Sequence, residues 1–190
     1  IPETFGASYI GLRALLKAGD LSESDIDLQT IGYTQLASLT SGTVDAVVIY
    51  ANNAPVVLSQ QGTPFNAIYA ADYADLVSAV VVTSDMMMAE NPEDVQAFVD
   101  AFLHGLEDVL ADPDAAFEIS TDYIEGLDEN AEAQRAVLEA SIDLWRAPTL
   151  GKFEVAAWQQ AQTVMHDAGL IEQKVPVDAL FTNAFVTASD

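Results

Sequence analysis

The feature that most constrains this fold is the alternation of short apolar runs with helix-like stretches over the first 85 residues. Residues 28–33, 46–50 and 67–71 are short, apolar and partly β-branched, which predicts buried strands, and residues 76–83 form a fourth candidate strand. Predicted helices near residues 8–18, 35–41 and 54–60 alternate with them. Strand–helix–strand spacing of this kind predicts an α/β fold, with a mainly parallel sheet and helices on its faces.

The rest of the sequence has the pattern of helices. Pro92 follows a capping Asn, and apolar residues recur at helical spacing from Val95 to Val109, which predicts one buried stripe. Further helices are predicted near residues 115–123, 129–145, 153–168 and 177–185. One compact α/β domain is one interpretation of this order. We favour another, in which one α/β lobe is followed by a crossing strand and by the helices of a second lobe whose strands are missing.

The charge balance and the absence of cysteine exclude several classes of function. The chain has 30 acidic and 6 basic residues, a net charge of −24, so its surface repels nucleic acids and anionic membrane surfaces. Without cysteine it has no disulfide and no thiolate metal site within these residues. Its apolar runs are shorter than the roughly 18 to 20 residues of a membrane span. It starts without Met or a basic leader, so we expect a piece of a longer protein.

The residues that usually carry catalysis form no recognisable arrangement. His104 and His166 lack a partner at metal-ligand spacing, and the acidic residues follow solvated helix faces. Ser8 lacks the complete Gly-x-Ser-x-Gly pattern of a nucleophile elbow. We therefore predict no catalytic residue, no metal and no cofactor, and a protein that is not an enzyme.

A first cluster at the start of a predicted helix has the composition of a binding site. Gly6, Ala7 and Ser8 are small, so a ligand can approach the backbone N–H groups of the helix start, which favour an anion or a hydrogen-bond acceptor. Glu3 supplies an acceptor for amino or hydroxyl groups, and Phe5 and Tyr9 supply flat faces. An ordinary helix cap with a glycine turn explains the same residues equally well.

Further clusters follow the next predicted strands. Tyr50, Asn52 and Asn53 come directly after the strand at residues 46–50, and Asp72 comes directly after the one at 67–71. Ligands of open α/β sheets bind at the carboxyl ends of strands, and paired amides suit a neutral polar heterocycle. A plain Asn cap is the alternative for the pair. Three such clusters at successive strand ends favour a shared pocket.

Several segments, taken in order, resemble a known family. They read GASYIGLR at 6–13, TSGTVDA at 40–46 and YANNAP at 50–55, followed by Asp72 and Tyr73. This order resembles substrate-binding proteins of bacterial ABC importers, in the branch similar to the thiamine-pyrimidine-precursor synthases, whose members bind formylaminopyrimidine-type compounds or riboflavin. The tail, with FTNAF at 181–185, extends the resemblance over essentially the whole chain.

The resemblance implies a periplasmic-binding-protein fold of type II, whose two α/β lobes close on a ligand. Residues 1–80 would be ligand-binding lobe two, and residues 81–190 the hinge strand and the mainly helical C-terminal part of lobe one. The implied function is that of an extracytoplasmic solute-binding component, periplasmic or lipid-anchored. It would capture a small heterocycle, close, and dock on the membrane subunits of an ABC permease.

The resemblance also implies roles for the clusters. Glu3 and residues 5–8 would line the cleft, while Tyr50, Asn52 and Asn53 would contact the polar edge of the ring or the opposing lobe. Ala54 departs from the family pattern, because relatives often carry Glu there. Loss of this carboxylate beside the pocket leaves the identity of the ligand open.

Two other functions remain open on the sequence. An aliphatic sulfonate, taurine or nitrate receptor would share the fold, but Arg13 and Lys17 are the only basic residues before residue 85, which disfavours an anion. A pyrimidine-precursor synthase-like enzyme is disfavoured because the fungal members carry a cysteine-rich iron-binding motif and this chain has no cysteine.

Overall fold

The computed structural model describes residues 1–77 and 79–186. These described residues contain eight α-helices: α1 (Gly6–Ala18), α2 (Gln35–Thr40), α3 (Ala54–Gln60), α4 (Asp85–Glu90), α5 (Pro92–Ala111), α6 (Pro113–Thr121), α7 (Ala131–Trp145) and α8 (Val155–Asp167). Short 3₁₀ turns lie at Glu23–Asp25, Ala70–Asp72, Leu127–Asn130 and Val177–Ala179.

Local sequence signals set the starts of the long C-terminal helices. Pro92 is the first residue of α5, where its missing N–H removes no intrahelical hydrogen bond. Pro113 begins α6 in the same way, and the Asp112 side chain accepts a hydrogen bond from the Ala115 N–H at 3.0 Å. The helices predicted from these signals are confirmed, as is the one predicted at 54–60. Helix α4 was not predicted by the sequence pattern.

The helix predicted at residues 177–185 is wrong. Val177–Ala179 form a single 3₁₀ turn, and residues 181–183 are not helical. The Asn183 side chain instead bonds to the backbone of Phe153. Asparagine disfavours helix interiors because its amide competes for backbone groups in this way.

The predicted strands are absent from the described residues, so the predicted α/β sheet stays a prediction. Segments 28–33 and 46–50 are irregular, as are residues 67–69 and the described parts of 76–83, in which residue 78 lies outside the description; residues 70–71 begin a 3₁₀ turn. The expectation that segment 67–71 is buried is also wrong in part, since Ile68 is 71% exposed, and Val82 of the fourth candidate strand is 82% exposed. A strand becomes buried when neighbouring strands pair with it and helices cover both faces. The described residues supply no such neighbours here.

One pair of segments has the hydrogen-bond pattern of parallel strands. The amino group of Ile1 donates to the Gln29 carbonyl at 3.0 Å, and the Ile31 N–H donates to the Ile1 carbonyl at 2.9 Å. Ile1 thus bonds to residues 29 and 31, the two neighbours of the residue that lies opposite it. This is the repeating hydrogen-bond pattern of two parallel strands. The start of the chain therefore pairs with segment 28–33 in the direction that an α/β fold requires.

The first of two compact units comprises residues 1–54, 64–79 and 154–180. Its core combines apolar residues of α1, α8 and the segment before residue 78: Ile10, Ala14, Ala74, Leu76 and Val164. Beside this core, Lys17 of α1 forms a salt bridge with Asp167 at the end of α8. The Asp75 N–H donates to the Gln160 side chain of α8 at 3.0 Å. Helices from opposite ends of the sequence are thus packed together in this unit.

The second unit comprises residues 55–63, 80–153 and 181–190, and α5, α6 and α7 pack consecutively within it. Arg135 of α7 joins it to α6, because its guanidinium lies 4.1 Å from the centre of the Phe117 ring and forms salt bridges with Asp114, at 2.6 Å, and Glu118. A cation over an aromatic face adds attraction to these ion pairs. The division predicted at residue 80 into two lobes stays a prediction.

The buried stripe predicted on α5 is only partly correct. Val95 is buried and three other members of the stripe are half-buried, whereas Phe98 is 57% exposed and Phe102 is 52% exposed. The two rings stack on each other at a centroid distance of 6.4 Å. This helix therefore presents an apolar face that nothing in the described part of its own unit covers fully.

Asn183 joins two stretches of the second unit that lie 30 residues apart in the sequence. Its side-chain oxygen accepts from the Phe153 N–H at 2.9 Å, and its amide donates to the Phe153 carbonyl at 3.0 Å. The rings of Phe153 and Phe181 meet edge to face at 5.4 Å. The chain leaves the second unit after residue 153 and re-enters it at residue 181. These contacts therefore hold together the two places where the chain leaves and re-enters this unit.

We expect Asn183→Ala to lower the free energy of unfolding by about 1–3 kcal/mol, since it removes two hydrogen bonds to the backbone of Phe153 in a half-buried place. Urea unfolding measures this change. The exposed Asn66→Ala is the matched control, with an expected change within about 0.5 kcal/mol. If the urea unfolding transitions of the two variants have the same midpoint and the same slope, the Asn183 contacts contribute nothing to stability.

Candidate ligand-binding site

A partly open cavity of about 360 Å³ lies within the first unit. Its wall comes from the start of α1, from the end of segment 46–50 and from the segment before residue 78: Ala7, Ser8, Ile10, Val48, Ile49, Tyr50, Leu76 and Val77. One stretch ends a predicted strand, another begins one, and the third is a helix start, so the pocket expected at strand ends is matched by the first stretch alone. A volume of this size is within the usual range for small-molecule sites.

The first turn of α1 meets this cavity without a hydrogen bond from the side chain of its cap residue. That residue, Phe5, precedes the helix in an extended conformation and has no acceptor atom in its side chain. Gly6 has a φ of +74°, which side-chain-bearing residues rarely adopt, although there is open space where a Cβ would lie. The first N–H groups of a helix have no intrahelical acceptor and carry a partial positive charge. They can therefore donate to carbonyl oxygens of a ligand.

The structure brings together three of the predicted site residues. Ala7, Ser8 and Tyr50 line the cavity, although they come from two different segments. Tyr50 keeps 59% of its surface exposed, so that its ring is accessible to a ligand.

The other predicted site residues do not line this cavity. Glu3 is half-buried, Phe5 is 67% exposed and Gly6 is exposed. Asn52 is half-buried, and the exposed Asn53 donates its backbone N–H to the Tyr50 carbonyl at 3.2 Å. Asp72 is exposed at the end of a 3₁₀ turn. Their roles in binding stay predictions.

The sequence did not single out the apolar part of the wall, formed by Ile10, Val48, Ile49, Leu76 and Val77. Each of these residues belongs to an apolar run that serves equally well as core. Val48 and Ile49 lie near the end of a predicted strand, Leu76 and Val77 begin another, and Ile10 belongs to a predicted helix, so no common sequence signal marks them.

The chemistry of the wall is neutral. None of the eight lining residues carries a charge, and Ser8 and Tyr50 contribute the side-chain hydroxyl groups. Such a wall offers apolar contact, one aromatic face and a few hydrogen bonds, but no paired acid and base. It therefore suits the binding of an uncharged ring.

A hydrogen-bonded cluster behind the pocket fixes the second turn of α1. Tyr9 is buried, and its hydroxyl donates to Glu23. Arg13 donates to Glu23 at 2.8 Å and to the Tyr9 oxygen at 3.1 Å, with its guanidinium 5.8 Å from the centre of the Tyr9 ring. The hydrogen bond from Tyr9, together with Arg13, holds the pKa of Glu23 below its usual range. This cluster anchors the helix whose first turn lines the cavity.

Comparison with known proteins identifies the family. The family model described as NMT1/THI5 like matches residues 4–116, a range that contains every residue lining the cavity. The chain belongs to the NMT1/THI5-like family. This family has a periplasmic-binding-protein-like fold, and the resemblance to its substrate-binding branch is confirmed.

Two relatives that are similar to this chain are named as binding proteins. The riboflavin-binding protein RibY of Chloroflexus aurantiacus is 39% identical over 192 residues, covering 98% of this chain and 55% of the relative. The formylaminopyrimidine-binding protein of Halalkalibacterium halodurans is 24% identical over 180 residues, covering 90% of this chain and 54% of the relative. The chain thus spans about half the length of the curated relatives it matches.

A cluster of metal ligands and a membrane-spanning helix are both absent from the described residues. Within residues 1–77 and 79–186, no three or more His, Asp or Glu side chains are grouped as a metal ion would require. In the same residues, no helix combines the length and the apolar character needed to cross a membrane.

We expect the contribution of the Glu23 cluster to stability to depend on pH. A carboxyl group whose pKa is lowered by folding stabilises the folded state above its ordinary pKa of about 4.3, and this stabilisation disappears as the pH falls through the folded value. The melting temperature of Glu23→Gln should therefore lie below that of the unmodified protein at pH 7, and the gap should narrow below about pH 4.

Tyr9→Phe is the companion variant, since it removes the hydrogen bond that contributes most to the shift of Glu23. It should show the same narrowing with a smaller amplitude. A gap that stays constant from pH 7 to pH 3 for both variants would contradict the role given to this cluster.

Proposed function

We propose that this protein is the extracytoplasmic solute-binding component of an ABC importer and that it captures a small heterocycle without transforming it. Riboflavin is the leading ligand and a thiamine pyrimidine precursor is the second. The observation that carries the proposal is the neutral cavity at the start of α1, in a chain that is 39% identical to a riboflavin-binding protein. The name of the more distant relative supports the pyrimidine as the second candidate.

The wall of the cavity suits a flat, largely apolar ring system. Its aliphatic residues can contact the ring, and the exposed face of Tyr50 can stack on it. The Ser8 hydroxyl and the first N–H groups of α1 can donate to ring carbonyl oxygens. In this proposal Glu3, Asn52 and Asp72 form a polar rim that engages the ligand or the opposing lobe on closure.

Closure of two lobes is the mechanism that this function requires. Residues 1–80 would belong to lobe two of a type II fold, and residues 81–190 to the hinge strand and the helical part of lobe one, each lobe being α/β once its sheet is complete. The exposed, stacked rings of Phe98 and Phe102 support this, because stacked apolar side chains on a helix face are suited to being covered by a partner layer. A ligand that contacts both lobes binds the closed state more tightly and shifts the population toward it.

The first experiment is a thermal-shift measurement of the full-length protein with riboflavin, formylaminopyrimidine, taurine and nitrate. A ligand that binds only the folded state stabilises it by about 2.7 kcal/mol at a hundredfold excess over Kd. We expect riboflavin, or failing it the pyrimidine, to raise the melting temperature. Recovered ligand should have an unchanged mass, as a binding protein requires. A shift with the anions alone would overturn the proposed ligand class.

We predict that Tyr50→Ala weakens riboflavin binding by about 5- to 150-fold, equivalent to the roughly 1–3 kcal/mol of an aromatic ring stacked on a heterocycle. Tyr50→Phe keeps the aromatic ring, so its affinity for riboflavin should fall much less. Titration of flavin fluorescence measures both.

The matched control is Tyr33→Ala, because Tyr33 belongs to the same unit, is 89% exposed and does not line the cavity. Its Kd should equal that of the unmodified protein. If Tyr33→Ala and Tyr50→Ala weaken binding equally, Tyr50 is not part of the site.

A further inference from the structure

We propose that the site selects the uncharged form of its heterocycle and rejects the phosphate ester, so that riboflavin binds and riboflavin 5′-phosphate is excluded. This inference rests on the proposed function and concerns the charge of the ligand. It depends on where the basic side chains of the first unit are, and on what they already bind.

The cavity wall offers a phosphate group no cation. Its eight residues are apolar or carry a hydroxyl group, as described above. A phosphate ester carries about −1.5 to −2 charges at pH 7, and burying such a charge without a paired cation is strongly unfavourable.

The basic side chains of the first unit are engaged elsewhere. Arg13 is bonded to Glu23 at 2.8 Å, and Lys17 forms a salt bridge with Asp167. Lys174 donates to the Thr163 hydroxyl at 2.9 Å. Recruiting Arg13 or Lys17 to a phosphate would break an existing ion pair and leave a carboxylate without its partner.

The charge of the whole chain acts in the same direction. A net charge of −24 repels an approaching dianion, whereas it has no such effect on riboflavin. The start of α1 acts in the opposite direction, but a helix terminus carries only about half an elementary charge. It can accommodate a carbonyl oxygen, but it cannot neutralise a phosphate group.

The test is a fluorescence titration of the full-length protein with riboflavin and with riboflavin 5′-phosphate, at 20 mM and at 500 mM NaCl. We expect the phosphate ester to bind at least tenfold more weakly at low salt. The difference between the two Kd values should become smaller at high salt, because salt screens the long-range repulsion of the phosphate ester. The remaining difference, caused by the missing cation, should persist. The Kd of riboflavin should change little. Equal Kd values for the two flavins at low salt would overturn the inference. Binding of neither flavin would overturn riboflavin as the ligand, and binding of neither the flavins nor the pyrimidine would overturn the proposed function.

A gain-of-binding variant tests the cause. Ala7 lines the cavity, is exposed and lies in the first turn of α1, so Ala7→Lys places a cation at the wall, and Ala7→Gln is the uncharged control of similar length. We expect the Kd of riboflavin 5′-phosphate divided by the Kd of riboflavin to be at least threefold lower in Ala7→Lys than in Ala7→Gln. Equal ratios in these variants, with unchanged melting temperatures, would show that a missing cation is not the reason for selection.

Discussion

The candidate site depends on the way α1 is held along its whole length. Its first turn forms part of the cavity, its second turn is fixed by Tyr9 and Arg13 against Glu23, and Ala14 lies in the core of the first unit. Lys17, in its last turn, is joined to Asp167 of α8. A helix start can present its amides to a ligand only when the helix cannot shift. The residues that supply this rigidity carry no ligand chemistry of their own.

Helix starts were the most predictable part of this structure because their signals are local. Pro92 and Pro113 begin their helices where the sequence placed a start, and α3 has the predicted bounds. The failure at residues 177–185 has the opposite origin. Asn183 bonds to Phe153, a residue that is distant in sequence, and no local pattern reveals such a contact. Prediction from sequence therefore succeeded where residues within one turn decide the conformation.

Strands and pockets are harder to predict for the same reason. Segment 28–33 pairs with Ile1 in parallel, as the prediction of an α/β fold requires, but the other apolar runs have no ladder in the described residues. For the site, the sequence pointed to polar and aromatic residues at strand ends, which located Ser8 and Tyr50. It missed Val48 and Leu76, because an aliphatic residue that faces a cavity has the same pattern as one that faces the core.

The scarcity of basic residues links the stability of the fold to the chemistry of its site. With 6 basic residues against 30 acidic ones, each cation that joins two distant segments is one fewer for binding an anion. Arg13 joins α1 to the turn at residues 23–25, Lys17 joins α1 to α8, and Arg135 joins α7 to α6. Exposed ion pairs add little individually, but a bound anion would have to compete with them for the same side chains. A pocket built from neutral residues leaves these ion pairs intact. Such a pocket can bind an uncharged ligand without taking a basic side chain away from the ion pairs that stabilise the fold.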